Sequence, residues 1–90
     1  MGSIQAHANI CTKLNHIYQQ KNQAYGDSFA DTYRKLGLIS AVTRMTDKMN
    51  RLQNLAVNTD IDKGDESIID TCLDLANYAI MTVMELEKDN

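Results

Sequence analysis

Apolar side chains recur along this chain at steps of three and four, the period of one helical face. In the first stretch Ile10, Leu14, Ile17 and Tyr18 share such a face. This predicts a helix from about Ser3 to Ala24, with Ser3 as its N-cap. The run Tyr25-Gly26-Asp27-Ser28 breaks it, because glycine tolerates left-handed backbone and Asp27 or Ser28 can cap the next helix. Leu38, Val42, Met45, Met49, Leu52 and Ala56 then alternate steps of four and three, a coiled-coil-like seam. They predict a second helix from about Phe29 to Ala56, with a loop after it from Val57 to Gly64. A third helix, capped by Asp65, is predicted to run to about Glu87. Its main stripe is Ile69, Cys72, Leu73, Ala76, Ile80 and Val83, widened by Ile68, Leu75, Ala79 and Leu86. A helix apolar over so much of its circumference must be surrounded by neighbours, and two other helices cover only part of it. The expected architecture is therefore all-α: a three-helix protomer forming an oligomeric helical bundle. The alternation of a half-buried strand is nearly absent, so β content should be near zero.

Composition narrows the class. Ninety residues without proline fit one helical domain, 1–90. A hydrophobic content of 43% is normal for a globular chain and too high for a disordered one. The net charge of −3 argues against general nucleic-acid binding, which wants a positive excess. Cys11 and Cys72 lie far apart within apolar stretches, which reads as buried free thiols in a reducing cytoplasm rather than a disulfide framework. No apolar run approaches the roughly 20 residues of a membrane span, and the first residues lack the regions of a signal peptide. The expected location is the cytoplasm, away from membranes.

Candidate chemistry flanks the apolar stripes. At about 100° per residue, Arg44, Asp47, Lys48 and Arg51 occupy one arc of the second helix, and Glu66, Asp70, Asp74 and Asn77 one arc of the third. If these helices pack antiparallel, both arcs can face one cleft. Like charges about 4 Å apart repel by about 4 kcal/mol at an effective dielectric near 20. A divalent ion, a raised pKa or a basic neighbour must relieve such crowding. Hard oxygen ligands select Mg²⁺ or Mn²⁺, and the cations could hold phosphate oxygens. The alternative is a salt-bridge network on solvated faces, the more ordinary outcome at these spacings. Lys21, four residues from both Ile17 and Tyr25, either packs its stem and reaches water or brings its ammonium and the Tyr25 hydroxyl to the mouth of the cleft. Asp60, Asp62 and Gly64 do not make a calcium loop, because the glycine is misplaced. His7 and Cys11 could share a face but lack a second pair for zinc. No triad, P-loop or Rossmann turn is present.

Three segments carry a resemblance: Lys21-Asn22-Gln23-Ala24-Tyr25-Gly26-Asp27-Ser28-Phe29, Arg44-Met45-Thr46-Asp47-Lys48-Met49-Asn50-Arg51-Leu52, and Asp65-Glu66-Ser67-Ile68-Ile69-Asp70-Thr71-Cys72-Leu73-Asp74-Leu75-Ala76-Asn77-Tyr78. Over about Lys21 to Leu86 the chain resembles the nucleotide modification associated domain, often found in phages. That domain is similar to the MazG and dimeric dUTPase superfamily of all-α NTP pyrophosphatases. The resemblance implies a MazG-like homo-oligomer and Mg²⁺-dependent cleavage between the α and β phosphates of a nucleoside triphosphate. It also implies metal ligands at Asp47, Glu66, Asp70 and Asp74, with Asp70 or Asp74 orienting the attacking water. Lys21, Asn22, Tyr25, Arg44, Lys48, Arg51 and Asn77 would contact the nucleotide. The chain departs from the superfamily pattern: Asp74 matches its final aspartate, but Thr71 fills the preceding glutamate slot, and Asp47 alone remains of the acidic pair on the second helix. Fewer carboxylates and more cations favour holding an anionic ligand over cutting it. The leading expectation is a nucleotide-binding, Mg²⁺-dependent MazG-like pyrophosphohydrolase; the alternative is a non-catalytic binder that sequesters a nucleotide or nucleotide-derived signal. A purely structural helical oligomer is a third.

Overall fold

The computed structural model describes residues 2–58 and 66–88. They form helices α1 (Ile4–Tyr25), α2 (Ser28–Leu36), α3 (Leu38–Val57) and α4 (Glu66–Lys88), with no strand among the described residues. The all-helical expectation holds, with one correction: the long second helix is two helices. Gly37 separates them, at φ 78° and ψ −166°. This region of backbone space is open essentially to glycine alone. Its N–H donates to the Tyr33 carbonyl, closing α2, and its carbonyl accepts from the Ser40 backbone N–H and the Ser40 hydroxyl, opening α3. Gly26 ends α1 in the same way, at φ 68° and ψ −158°, donating to the Asn22 carbonyl. Ser3 caps α1 as expected, its hydroxyl accepting from the Ala6 N–H at 3.1 Å. The expected cap at Asp65 and the sites at Asp60, Asp62 and Gly64 lie outside the described residues.

α4 is the element against which α1, α2 and α3 all pack. The core is small. Phe29 and Tyr33 of α2 and Ala41 of α3 form a buried cluster, with Tyr78 and Met81 of α4 packed on it. Leu14 is the buried residue of α1, and residues 4–13 of that helix are exposed throughout. Both cysteines are free and exposed, which corrects the expectation of buried thiols. Cys11 lies on the unpacked half of α1, its sulfur 3.7 Å from His7 Nδ1, and Cys72 lies on the outward side of α4.

No helix among the described residues is long and apolar enough to cross a membrane.

Candidate functional site

The break at Gly26 brings the end of α1 over the core, and a pocket of about 140 Å³ opens there. A cavity of about 150 Å³ accepts a benzene ring, so this one suits a ring-sized group with the rest of a ligand at the mouth. Tyr18, Lys21, Asn22 and Tyr25 enter from α1, one helical turn apart. Gly26, Asp27 and Ser28 form the turn beside them, and Phe29 begins α2. Arg44 comes from α3, and Asp74, Asn77, Tyr78 and Met81 from α4.

Aromatic rings form one side of the pocket. Phe29 and Tyr78 stack with centroids 5.9 Å apart and planes 21° from parallel. The Arg44 guanidinium lies 5.6 Å from the Phe29 centroid, within range of a cation–π attraction, and its Nη2 reaches the Thr32 hydroxyl at 3.4 Å.

Charge lies on the other side. Asp74 accepts from Lys21 Nζ at 2.8 Å on one carboxylate oxygen and meets Lys48 Nζ at 3.2 Å on the other. Burial pushes the Asp74 carboxyl up, but the hydrogen bonds from Lys21 and Lys48 outweigh it and hold it below its usual range. The hydrogen bond to Asp74 raises Lys21, against a smaller opposing effect of burial. One carboxylate thus joins α1, α3 and α4. Asn77 reinforces the junction: its side-chain amide, buried on α4, donates to the Leu14 carbonyl of α1 at 3.1 Å.

The structure therefore gathers Lys21, Asn22, Tyr25, Arg44, Asp74 and Asn77 around the pocket, with Lys48 reaching it through Asp74. The other expected residues lie elsewhere. Asp47 and Arg51 line a separate depression on α3 with Asn50, Asn54, Leu55 and Asn58. Glu66 and Asp70 are exposed on α4. Both lie in the first turns of α4, ahead of Thr71, where the buried positions of that helix begin. Of Glu66, Asp70 and Asp74, Asp74 is the one that lines the pocket. Among the described residues, no three His, Cys, Asp or Glu side chains stand close enough together to hold a metal ion. Thr71, in the slot where the resemblance expects a glutamate, is buried. Its hydroxyl donates to the Ser67 carbonyl at 2.6 Å and accepts from Arg51 Nε at 3.2 Å.

Sequence reasoning did not single out Phe29, Tyr78, Tyr18 or Met81 as site residues. Phe29 and Tyr78 end two of the three segments that carry the family resemblance, and that position was the available signal. The family model for nucleotide modification associated domain 1 matches residues 21–86, a span that includes every pocket residue except Tyr18. Comparison with curated proteins and with solved structures gives no significant match.

Proposed function

The chain belongs to the family of nucleotide modification associated domain 1, and from that membership and the pocket's geometry we propose that it binds a nucleotide and holds it without cutting it. The observation that carries this reading is the stacked Phe29–Tyr78 pair in the same small pocket as Lys21 and Arg44. An aromatic surface takes the flat face of a base, a contact worth about 1–3 kcal/mol per base. Guanidinium and ammonium groups beside it take phosphate oxygens. The Tyr18 and Tyr25 hydroxyls and the Asn22 amide supply hydrogen bonds to sugar or base.

The charge balance bears on which nucleotide. Lys21, Lys48 and Arg44 outnumber Asp27 and Asp74 by one. A surplus of one positive charge suits a nucleotide whose phosphates are few or esterified, such as a cyclic or ADP-ribose-type molecule. A free triphosphate would exceed it.

The Mg²⁺-dependent pyrophosphohydrolase reading asks for more carboxylates than this pocket brings together. Asp74 already has an ammonium on each oxygen, and Thr71 offers a hydroxyl engaged with Arg51. These donors do not fit a Mg²⁺ centre, so no catalytic step is assigned to them. The test is to incubate the pure protein with a panel of nucleoside mono-, di- and triphosphates, cyclic nucleotides and ADP-ribose-type molecules. Each is measured with Mg²⁺ and with a chelator, and both product and bound ligand are analysed. A bound, unchanged nucleotide is expected. Conversion of a triphosphate to monophosphate and pyrophosphate would establish the hydrolase instead.

A further inference from the structure

We infer that Asn77 reads the base of the bound nucleotide and selects bases with an exocyclic amine, adenine and cytosine over hypoxanthine and uracil. This deepens the nucleotide-binding reading and rests on it. A side-chain amide offers a carbonyl acceptor at one end and an amino donor at the other, and its partners fix which way it points. The Leu14 backbone carbonyl can only accept, and it lies 3.1 Å from Asn77 Nδ2. The amino end of Asn77 is therefore turned to α1, and its Oδ1 is turned away from that bond.

Asn77 is only 8% exposed, and among the described residues no group donates to its Oδ1. A buried acceptor is normally paired, within the chain or by water or a ligand. This oxygen is not sealed in the interior, and the space that Asn77 borders is the pocket. An acceptor held in one orientation, with no donor of its own, is built to receive an N–H group from whatever fills that space.

Depth decides which part of a nucleotide reaches it. Lys21, which takes phosphate in the binding reading, is 56% exposed, and Asp27 at the turn is exposed as well. Phe29 is buried, and Tyr78, the residue after Asn77 on α4, is half-buried against it. Phosphates thus stay at the mouth while the base goes in to the rings, which brings its edge to Asn77. The amines of adenine and cytosine project beyond the ring as N–H donors, whereas a carbonyl at the same place presents an acceptor. Against Oδ1 the amine makes a hydrogen bond, and the carbonyl sets oxygen against oxygen.

Paired ligands that exchange the amine for a carbonyl test this directly. Cyclic AMP is compared with cyclic IMP, cyclic CMP with cyclic UMP, and ADP-ribose with its hypoxanthine analogue, each by titration in chelator. The amine member should bind more tightly by about tenfold or more, the difference expected when a buried acceptor is left without its donor. In Asn77→Ala the ratio within a pair should fall to about one. A purely structural role for Asn77 would weaken both members alike and leave that ratio unchanged, which would overturn the assignment. If the variant does not fold, nuclear magnetic resonance of the wild-type chain gives the readout. The Asn77 side-chain amide signal should shift on saturation with the amine member, and an unmoved signal would overturn the assignment. Equal affinities within the pairs, or a preference for the carbonyl member, would overturn the selection while leaving nucleotide binding intact. If no member of any pair binds, the nucleotide reading fails and this inference fails with it.

Discussion

Asp74→Asn separates the binding account from the metal account by the sign of its effect. In the structure Asp74 neutralises Lys21 at 2.8 Å and Lys48 at 3.2 Å. A phosphate taking the same ammonium groups would sit about 5 Å from the carboxylate, and at an effective dielectric near 20 that repulsion is about 3 kcal/mol. Asparagine keeps the shape and one acceptor oxygen but removes the charge. Against the relief stands weaker anchoring of the lysines. Partly exposed ion pairs are worth about 0.2–1 kcal/mol each, and the value for Lys21 is discounted because its side chain is 56% exposed. The net effect on an anionic ligand is about 1–2 kcal/mol in favour, so the variant should bind roughly five- to thirtyfold more tightly. Folding should lose about 1 kcal/mol, lowering Tm by about 4–8 °C. Isothermal titration with the best ligand of the panel, paired with thermal unfolding monitored by circular dichroism, reads both quantities. Binding that collapses in Asp74→Asn while the variant remains folded would refute the reasoning and return Asp74 to a direct role at ligand or metal.

Three further outcomes rest on the same geometry. Arg51→Ala should leave ligand affinity within about twofold, because Arg51 serves Thr71 rather than the pocket; a tenfold loss by titration would restore it to the site. Gly37→Ala meets no atom within 4 Å, so its cost is backbone strain alone, about 1–3 kcal/mol, read as a lower Tm with helix content retained. The Lys21–Asp74 pair also sets a pH dependence. Asp74 is depressed below 3.8, so its contribution is complete above that value and is lost as pH falls through the lower folded value. Lys21 is raised above 10.5, so its contribution is complete below 10.5 and is lost as pH rises through the higher folded value. The contribution of the pair to unfolding free energy should therefore be constant between about pH 5 and 9, which Asp74→Asn can isolate by difference.

Much of the fold is legible in the chain. The three- and four-residue period locates α1 and α4 almost to the residue, and Ser3, by its side-chain cap, and Gly26, by its positive φ, mark the two ends of α1. Gly37 escapes notice because apolar residues flank it on both sides, and an isolated glycine inside a helical pattern costs only about 1 kcal/mol. Its positive φ is what decides, and that depends on how α2 and α3 pack. The pocket is legible in part. Lys21 and Tyr25 stand on the edge of the α1 stripe, where their period places them. The union of Lys21 with Asp74, 53 residues away, depends on how α1 crosses α4, which no local pattern encodes. The four-carboxylate cleft does not form because Glu66 and Asp70 lie in the first turns of α4, ahead of its buried positions, and Asp47 lies in a separate depression on α3. How far a neighbouring helix covers α4 is not written in its own periodicity.

The most direct test of the account is titration of the purified chain with cyclic and ADP-ribose-type nucleotides in chelator, with the ligand then released by denaturation and analysed. The account predicts saturable binding without Mg²⁺, recovery of the ligand unchanged, and an affinity loss of about tenfold in Lys21→Ala, since a charge-assisted contact is worth about 1.5–3 kcal/mol. Binding unaffected by Lys21→Ala, or a ligand recovered as cleaved products, would contradict it.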